Sequence, residues 1–552
     1  MRGLNFGLCC FRHLRASGKA NWSFVPRFSH INTNQPTWDG KQQTIFFMKT
    51  ITKCMLLISI GLMAGLNGNA QTVINGGNVS GTWTKVNSPY QVNGDIAVAA
   101  GTTLTIEPGV TVAFANNIGL TINGQLLAQG TSNDNIVFTR QSTNTWIGLT
   151  FSAAGENKSV VEYASIKYAN KNGIYIISGI ITLSNDVISN NSASLYNPYG
   201  ANWYYGGGIY IGGGTVTLSN NTISNNTANY NGGGVYISGG TVTLNNNAIS
   251  NNTANSSYGG GIYMDKSTVE MYNNVISGNS ATQAGGGVYI SNMIANVRNN
   301  VISNNKHAAA KSGNGGGISL YNSSSMIINN TIAYNDAENG GGIYCSNGSS
   351  PVVINNIIYG NTSSLVSQIY INDNNSAPKM LYNLNQSNSW GFTTGVNYNW
   401  EANYDDSNFD ANPQFVNYAL QNYRLKSTSP CINAGIEDVT GLGLPNVDLD
   451  GNARIYGGRI DLGAYEYGAP PSGIENVNIQ NQLLVYPNPS RDGIFQLATN
   501  NNDIHWVVFD MNGKQISQGN TALVDLSFCS KGIYMVKVQT GKDIVTAKLV
   551  KL

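Results

Sequence analysis

Between Gly206 and Asn361 the charged side chains are Asp265, Lys266, Glu270, Arg298, Lys306, Lys311, Asp336 and Glu338, joined by His307. Acid–base cleavage of an acidic or glycosidic polymer needs carboxylates converging on a groove with a metal or cation beside them. Two groups approach that requirement. Glu270 and Arg298 fall on outward positions of neighbouring repeats, where an exposed pair contributes well under about 1 kcal/mol and reads as surface decoration. Lys306 and His307 follow Asn305, while Asp336 and Glu338 follow Asn335 at the same phase one repeat later, so all four are expected to meet on one edge. This charged patch is the best chemical candidate. A solvated loop patch is the favoured reading of it, because the insertion that lengthens this repeat is polar and built of small residues.

The aromatic pattern is richer. Tyr210, Tyr236, Tyr263, Tyr289 and Tyr344 share the second position of a short strand in successive repeats, with Ser319 interrupting the series. They are expected to form an outward column, and a nearby insertion adds Tyr199, Trp203 and Tyr204. Sugars stack on exposed aromatic faces, so these five tyrosines and Trp203 are glycan-binding candidates. In-register tyrosines also stabilise a parallel stack unaided, by a few tenths to about 1 kcal/mol per pair, and that structural role weighs more. No Ser/His/Asp arrangement, metal-spaced Cys/His cluster or phosphate-cradling loop accompanies them, so no catalytic residue, metal or cofactor is nominated.

The elements that position these residues announce themselves as repeats. Glycine triplets begin at Gly206, Gly232, Gly259, Gly285, Gly315 and Gly340, at spacings of 26, 27, 26, 30 and 25. Each precedes a short alternating strand such as Val235-Tyr236-Ile237, and a second follows, such as Val242-Thr243-Leu244. Period two marks strands with one buried face. Asparagine pairs keep the same phase (Asn220-Asn221, Asn246-Asn247, Asn273-Asn274, Asn299-Asn300, Asn329-Asn330, Asn355-Asn356), as does Ile-x-x-Asn from Ile223 with Asn226 to Ile358 with Asn361. In a parallel coil each residue lies about 4.8 Å from its counterpart, so aligned amides donate and accept along the stack. The Ile is expected inward and the Asn at the corner. Earlier segments with Val161, Tyr163 and Ile166, and with Leu183 and Ile188-x-x-Asn191, fit the same scheme. The fold class is therefore all-β, a parallel β-helix of about 26-residue coils followed by a small C-terminal β-sandwich.

Composition agrees. Only 10% of the 552 residues are Asp, Glu, Lys or Arg, against roughly a quarter in average domains, and Gly reaches 64. A net charge of +1 offers no basic field for nucleic acid or anionic lipid. From Met48, Lys49 and Lys53 precede an apolar run to Leu66 and a Gly68-Asn69-Ala70 site, the pattern of a signal peptide over 48–70. Residues 1–47 read as an over-extended start or an unusual leader. The mature chain is expected to begin near Gln71 without a transmembrane helix. It then keeps Cys345, Cys431 and Cys529, which are no disulfide framework; Cys345 with Cys431 could pair, and free buried thiols are favoured.

The Gly-Gly-Gly-Ile/Val and Ile-x-x-Asn repeats resemble those of polymorphic outer-membrane proteins and of right-handed β-helix proteins of the pectate-lyase-like class. That resemblance implies the fold and leaves activity open, because the architecture hosts lyases, hydrolases and adhesins. Residues 71–170 read as an N-terminal cap and first coils, 171–378 as the regular helix, and 379–467 as a C-terminal cap. In that last segment Asn412-Pro413-Gln414-Phe415-Val416, Ser427-Thr428-Ser429-Pro430-Cys431-Ile432-Asn433-Ala434-Gly435 and Asp461-Leu462-Gly463-Ala464-Tyr465-Glu466 resemble the choice-of-anchor Q module. Asp448, Asp450 and Asn452 alternate like calcium ligands, without a full twelve-residue loop. A linker spans 468–480. Over 481–552, Tyr486-Pro487-Asn488-Pro489, Val508-Phe509-Asp510-Met511-Asn512-Gly513-Lys514 and the terminal Lys548-Leu549-Val550-Lys551-Leu552 resemble the type A sorting domain of type IX secretion. This implies the type IX machinery as partner and a secreted or surface location, outer-membrane attached once the sorting domain is processed.

Three functions remain in play: a non-enzymatic adhesin or glycan binder, which leads; an extracellular polysaccharide lyase or glycoside hydrolase; and an inert surface spacer.

Overall fold

A computed structural model describes residues 71–470 and 484–551, except 144, 153–157, 195–204, 308–312, 365–367, 387–389, 393–398, 400–402, 487–489, 491, 499–503, 511–513 and 541–542. The signal-peptide segment, Tyr199, Trp203, Tyr204, most of the linker and Asn512-Gly513 lie outside the described residues.

One coil shows how the sequence builds the rest. Thr222–Ser224, Val235–Ile237 and Thr241–Asn245 are strands of three different sheets, with Thr227–Ala228 forming a short fourth. Each strand alternates buried and exposed residues, and each pairs in parallel with its counterparts one coil before and after, giving sheets of 13, 13 and 12 strands. Ile209, Val235, Ile262, Val288, Ile318 and Ile343 stack in register in the second sheet. Ile223, Ile249, Ile276, Ile302, Ile332 and Ile358, inward in the first, are all fully buried. The first coil begins at once with Thr72–Ile74, and the core is closed there by Trp83 stacked on Tyr90 at 4.5 Å. The glycine triplet leaves no room for side chains. A Cβ on Gly233 would lie 2.5 Å from the Gly260 carbonyl oxygen of the next coil.

The asparagines divide the corner between them. The first of each pair (Asn220, Asn246, Asn273, Asn299, Asn329, Asn355) takes positive φ, which Asn tolerates better than most residues. The second points inward and is buried. In Ile-x-x-Asn the corner is likewise one residue earlier than expected, at Asn225, Asn251 or Gly278, and the final Asn joins a second internal ladder. Asn252 illustrates the bonding: its Nδ2 donates to the Ile223 carbonyl at 2.9 Å and to Asn279 Oδ1 at 3.0 Å. Its Oδ1 accepts both the backbone and the side-chain N–H of Asn226 at 3.0 Å. One ladder runs from Asp186 to Asn408, the other from Asn191 to Asn361. They satisfy corner groups that would otherwise be buried without partners.

The segment expected to cap the far end runs back along the side of the solenoid. Asn299, Asn304, Asn329 and Asn355 meet Val447, Tyr423, Asp461 and Ile436 through hydrogen bonds, and Thr331 Oγ1 accepts the Ala464 N–H at 3.1 Å. Phe415, Tyr423, Leu425, Leu462 and Ala464 share a second core with Val301, Ile357 and Leu384 on the outer face of the first sheet. We call 412–467 the wrap. Its physical reason is the apolar outer column that it covers. Gly443 also lies against the Arg298 guanidinium, so the Glu270–Arg298 pair (2.7 Å) is partly covered rather than freely exposed.

The C-terminal unit has two antiparallel sheets, Leu484–Tyr486, Ile494–Ala498 and Leu523–Asp525 in one and Gln515–Gly519, Ile504–Asp510, Gly532–Thr540 and Asp543–Lys551 in the other. Phe495, Trp506, Val524, Val536 and Leu549 are buried between them. The Lys551 ammonium donates to the Leu526, Ser527 and Cys529 carbonyls at 2.7–3.0 Å, tying down the last strand. Among the described residues no helix is long and apolar enough to cross a membrane.

Candidate functional site

The glycine triplet sets the start of each second-sheet strand, so the residue two places on faces outward at the same height in every coil. Tyr210, Tyr236, Tyr263 and Tyr289 stand there with ring centroids 5.1, 4.9 and 5.4 Å apart and planes within 21°. Tyr175, from Ile174-Tyr175-Ile176, extends the column 4.5 Å beyond Tyr210. After Ser319 the series resumes as Tyr344 stacked on Tyr370 at 5.7 Å. Tyr205 packs on Tyr236 and Tyr258 on Tyr289 from the adjoining corner. Tyr175 and Tyr370 repeat the same strand motif without a full glycine triplet, which is the signal that would have placed them.

Stacking decides what the column can do. Ring faces cover one another, with Tyr289, Tyr344 and Tyr370 buried and the other rings half-buried, so sugar binding by face stacking is restricted to places where a face is left bare. Burial among neighbouring rings raises the Tyr236, Tyr263 and Tyr289 phenols above their ordinary range, Tyr263 to about 12. These three therefore stay neutral at physiological pH, and the strip is a row of phenol hydroxyls one coil apart. Lys171 lies 5.4 Å from the Tyr175 ring at one end.

Among the described residues no ion pair joins the four charged residues, and His307 leaves their edge. Strand alternation sends Lys306 and Asp336 outward and His307 inward, in register with Ala281. Among the described residues Lys306 makes no ion pair; Asp336 instead accepts a hydrogen bond from Thr362 Oγ1 at 2.5 Å. The His307 ring is mostly buried beneath Gly313, and burial lowers its pKa.

The densest polar chemistry belongs to the wrap. Arg454 and Glu466 form a buried ion pair at 2.9 Å, and the Glu466 carboxylate also accepts the Tyr456 and Asp461 amides. Asp448 accepts the amides of Asp450, Asn452 and Glu466. Arg424 grips Asp450 through two nitrogens. Both Asp448 oxygens are thus committed to donors, and the pattern that suggested calcium ligands is a turn staple. Cys345 and Cys431 are unpaired and lie in separate cores.

Residues 201–315 match the family model for a right handed beta helix region, and residues 484–552 match that for a secretion system C-terminal sorting domain. This is a right-handed β-helix protein with a type IX sorting domain. As such, the β-helix protein is secreted or displayed at the cell surface. A curated relative, Protein bark beetle of Drosophila melanogaster, is 54% identical over 55 residues, which is 10% of this chain and 2% of that protein. The β-helix protein thus spans a small fraction of the relative's length. Among solved structures it is similar to the pectate lyase Pel9A, at 17% identity and a TM-score of 0.36, over 72% of this chain and 97% of that one.

Proposed function

We propose that the exported β-helix is a non-catalytic adhesive rod whose second-sheet face binds extracellular glycan. The carrying observation is the unbroken strip from Tyr175 to Tyr289. A polymer laid along the solenoid axis meets one phenol hydroxyl per coil, and repetition multiplies a weak contact. The reading without catalysis is supported by Asp448, Asp461 and Glu466 of the wrap, whose carboxylates are engaged by backbone amides and Arg454.

The test is a glycan array with the intact chain beside a Tyr236→Ala, Tyr263→Ala variant, with folding checked by circular dichroism. Binding lost in the folded variant supports the strip. Binding by neither protein sinks the reading in favour of a spacer. New reducing ends or unsaturated sugars released from a polysaccharide would sink it in favour of a lyase or hydrolase.

A further inference from the structure

A cavity of about 420 Å³ lies where the wrap meets the last coils, within the size range of small-ligand sites. Tyr334, Tyr359, Gly360 and Gln386 come from the solenoid; Asn412, Gln414, Phe415, Tyr418 and Lys426 come from the wrap. It lies on the first-sheet face of the coil, where Tyr359 ends a strand, whereas the tyrosine strip belongs to the second sheet.

Its walls are aromatic. Tyr334 stacks on Tyr418 at 4.9 Å, and Tyr359 meets Phe415 edge-on at 6.3 Å. Tyr418 is 57% exposed, so this stack, unlike the second-sheet strip, keeps a face toward solvent. Tyr334 lies over Gly360, where a Cβ would come within 2.6 Å of the ring, so the glycine admits the aromatic wall.

Its polar groups are biased toward donors. Gln386 Oε1 accepts the Gly360 N–H at 2.7 Å, and Asn412 Oδ1 accepts the Gln414 N–H at 2.8 Å. Gln414 Oε1 takes the Thr428 hydroxyl. Each amide oxygen is occupied, and among the described residues the three NH₂ groups have no acceptor. Lys426 adds an ammonium without an ion-pair partner among the described residues, and no carboxylate lines the cavity. Three amide donors and a cation beside an exposed ring favour a ligand rich in acceptors, anionic, and carrying an apolar ring face.

We infer that this cleft is a binding site for an acidic sugar, a pyranose bearing a carboxylate, held by the amide and ammonium donors against the Tyr334–Tyr418 stack. The inference is independent of the strip. Ring C–H groups pack on the tyrosine face, hydroxyls meet the amides, and the carboxylate meets Lys426.

The test is a titration of the intact chain with D-glucuronate, D-glucose and acetate, followed by saturation-transfer NMR. Glucuronate is expected to bind in the millimolar range, with glucose and acetate each about tenfold weaker. Lys426→Met should bring glucuronate to the level of glucose, and Tyr418→Ala should weaken both sugars. Both side chains are exposed, so the thermal midpoint should stay unchanged in Lys426→Met and fall only slightly in Tyr418→Ala, which separates lost binding from lost folding. The Tyr236→Ala, Tyr263→Ala variant should bind glucuronate normally. Equal affinity for glucuronate and glucose, no saturation transfer from either, insensitivity to both substitutions, or loss in the strip variant would each overturn the assignment.

Discussion

The Asp186 backbone N–H donates to Asn221 Oδ1 at 2.9 Å, so a carboxylic acid heads a ladder that is asparagine in the next eight coils. Asp186 Oδ1 accepts the Ala164 amide at 2.7 Å, as an asparagine oxygen would. Its Oδ2 occupies the NH₂ position and has no partner. Burial drives its pKa well above the usual carboxylate range, opposed by the Ala164 amide.

Asp186→Asn should therefore stabilise the protein. A raised folded pKa means that the aspartate's contribution is intact below about pH 3.9 and is lost as pH rises through the folded value. The variant replaces the orphaned oxygen with a donor aimed at the Val161 carbonyl, by analogy with Asn221 and Leu183. At pH 7 it should gain about 1–2 kcal/mol, with a flatter pH dependence between 4 and 8. Urea midpoints measured across that range would refute this if the slope were unchanged.

His307 titrates in the opposite sense. It occupies an inward column otherwise filled by Ala193, Ala228, Ala254, Ala281, Ala337 and Ser363. Its ring lies near the Thr282 and Asn314 backbone, yet neither nitrogen closes a hydrogen bond of good geometry. With a folded pKa lowered by burial, the stability it contributes is present above about pH 6.5 and lost as pH falls through the folded value. His307→Ala should be within about 1 kcal/mol of wild type at pH 7 and less sensitive to acid, because the neighbouring coils already accept alanine. Thermal midpoints at pH 7 and pH 5 decide it: an equal drop in both proteins removes His307 as the cause.

Within the second ladder, position should matter more than residue type. Asn279→Ala leaves the Asn252 backbone N–H, the Asn252 side-chain NH₂ and the Ile249 carbonyl short of partners, a cost of about 3–5 kcal/mol. Asn251→Gly, at a φ of 55° on the same corner, should cost less than about 1 kcal/mol, since glycine adopts that conformation freely. Comparable losses at the two positions would mean that the ladder contributes no more than the turn.

The coils were legible because each repeats one environment. The glycine triplet, the alternating strand and the Asn pair each recur for a steric or hydrogen-bonding reason that a single sequence displays many times. Which Asn of a pair turns the corner was not legible, because both look alike until φ is known. Lys306 and His307 were grouped with Asp336 and Glu338 by their distance from an Asn, but alternation sends His307 inward. The wrap does not repeat, so periodicity could not place it. A signal for it existed in the outward position after each Asn pair, which changes from Thr222 and Ala248 to Val275, Val301, Thr331, Ile357 and Leu384. Small exposed residues give way to covered, mostly apolar ones where the wrap lies.

That same covered column makes the wrap's attachment testable through its buried ion pair. Arg454→Met leaves the Glu466 carboxylate buried with only backbone donors, a loss of about 3–5 kcal/mol. The solenoid's own ladders do not pass through Arg454, so the damage should be local. Limited proteolysis should cut within 412–467 while the coils from Thr72 to Phe392 stay resistant, and a hydrophobic dye should report exposure of Val301, Ile357 and Leu384. Removing the second charge as well, in Arg454→Met with Glu466→Met, should recover most of the protection, because a well-packed apolar pair avoids the desolvation of both ions. Protection that fails to return in the double variant would show that the pair is required for the wrap's shape and not only for charge balance.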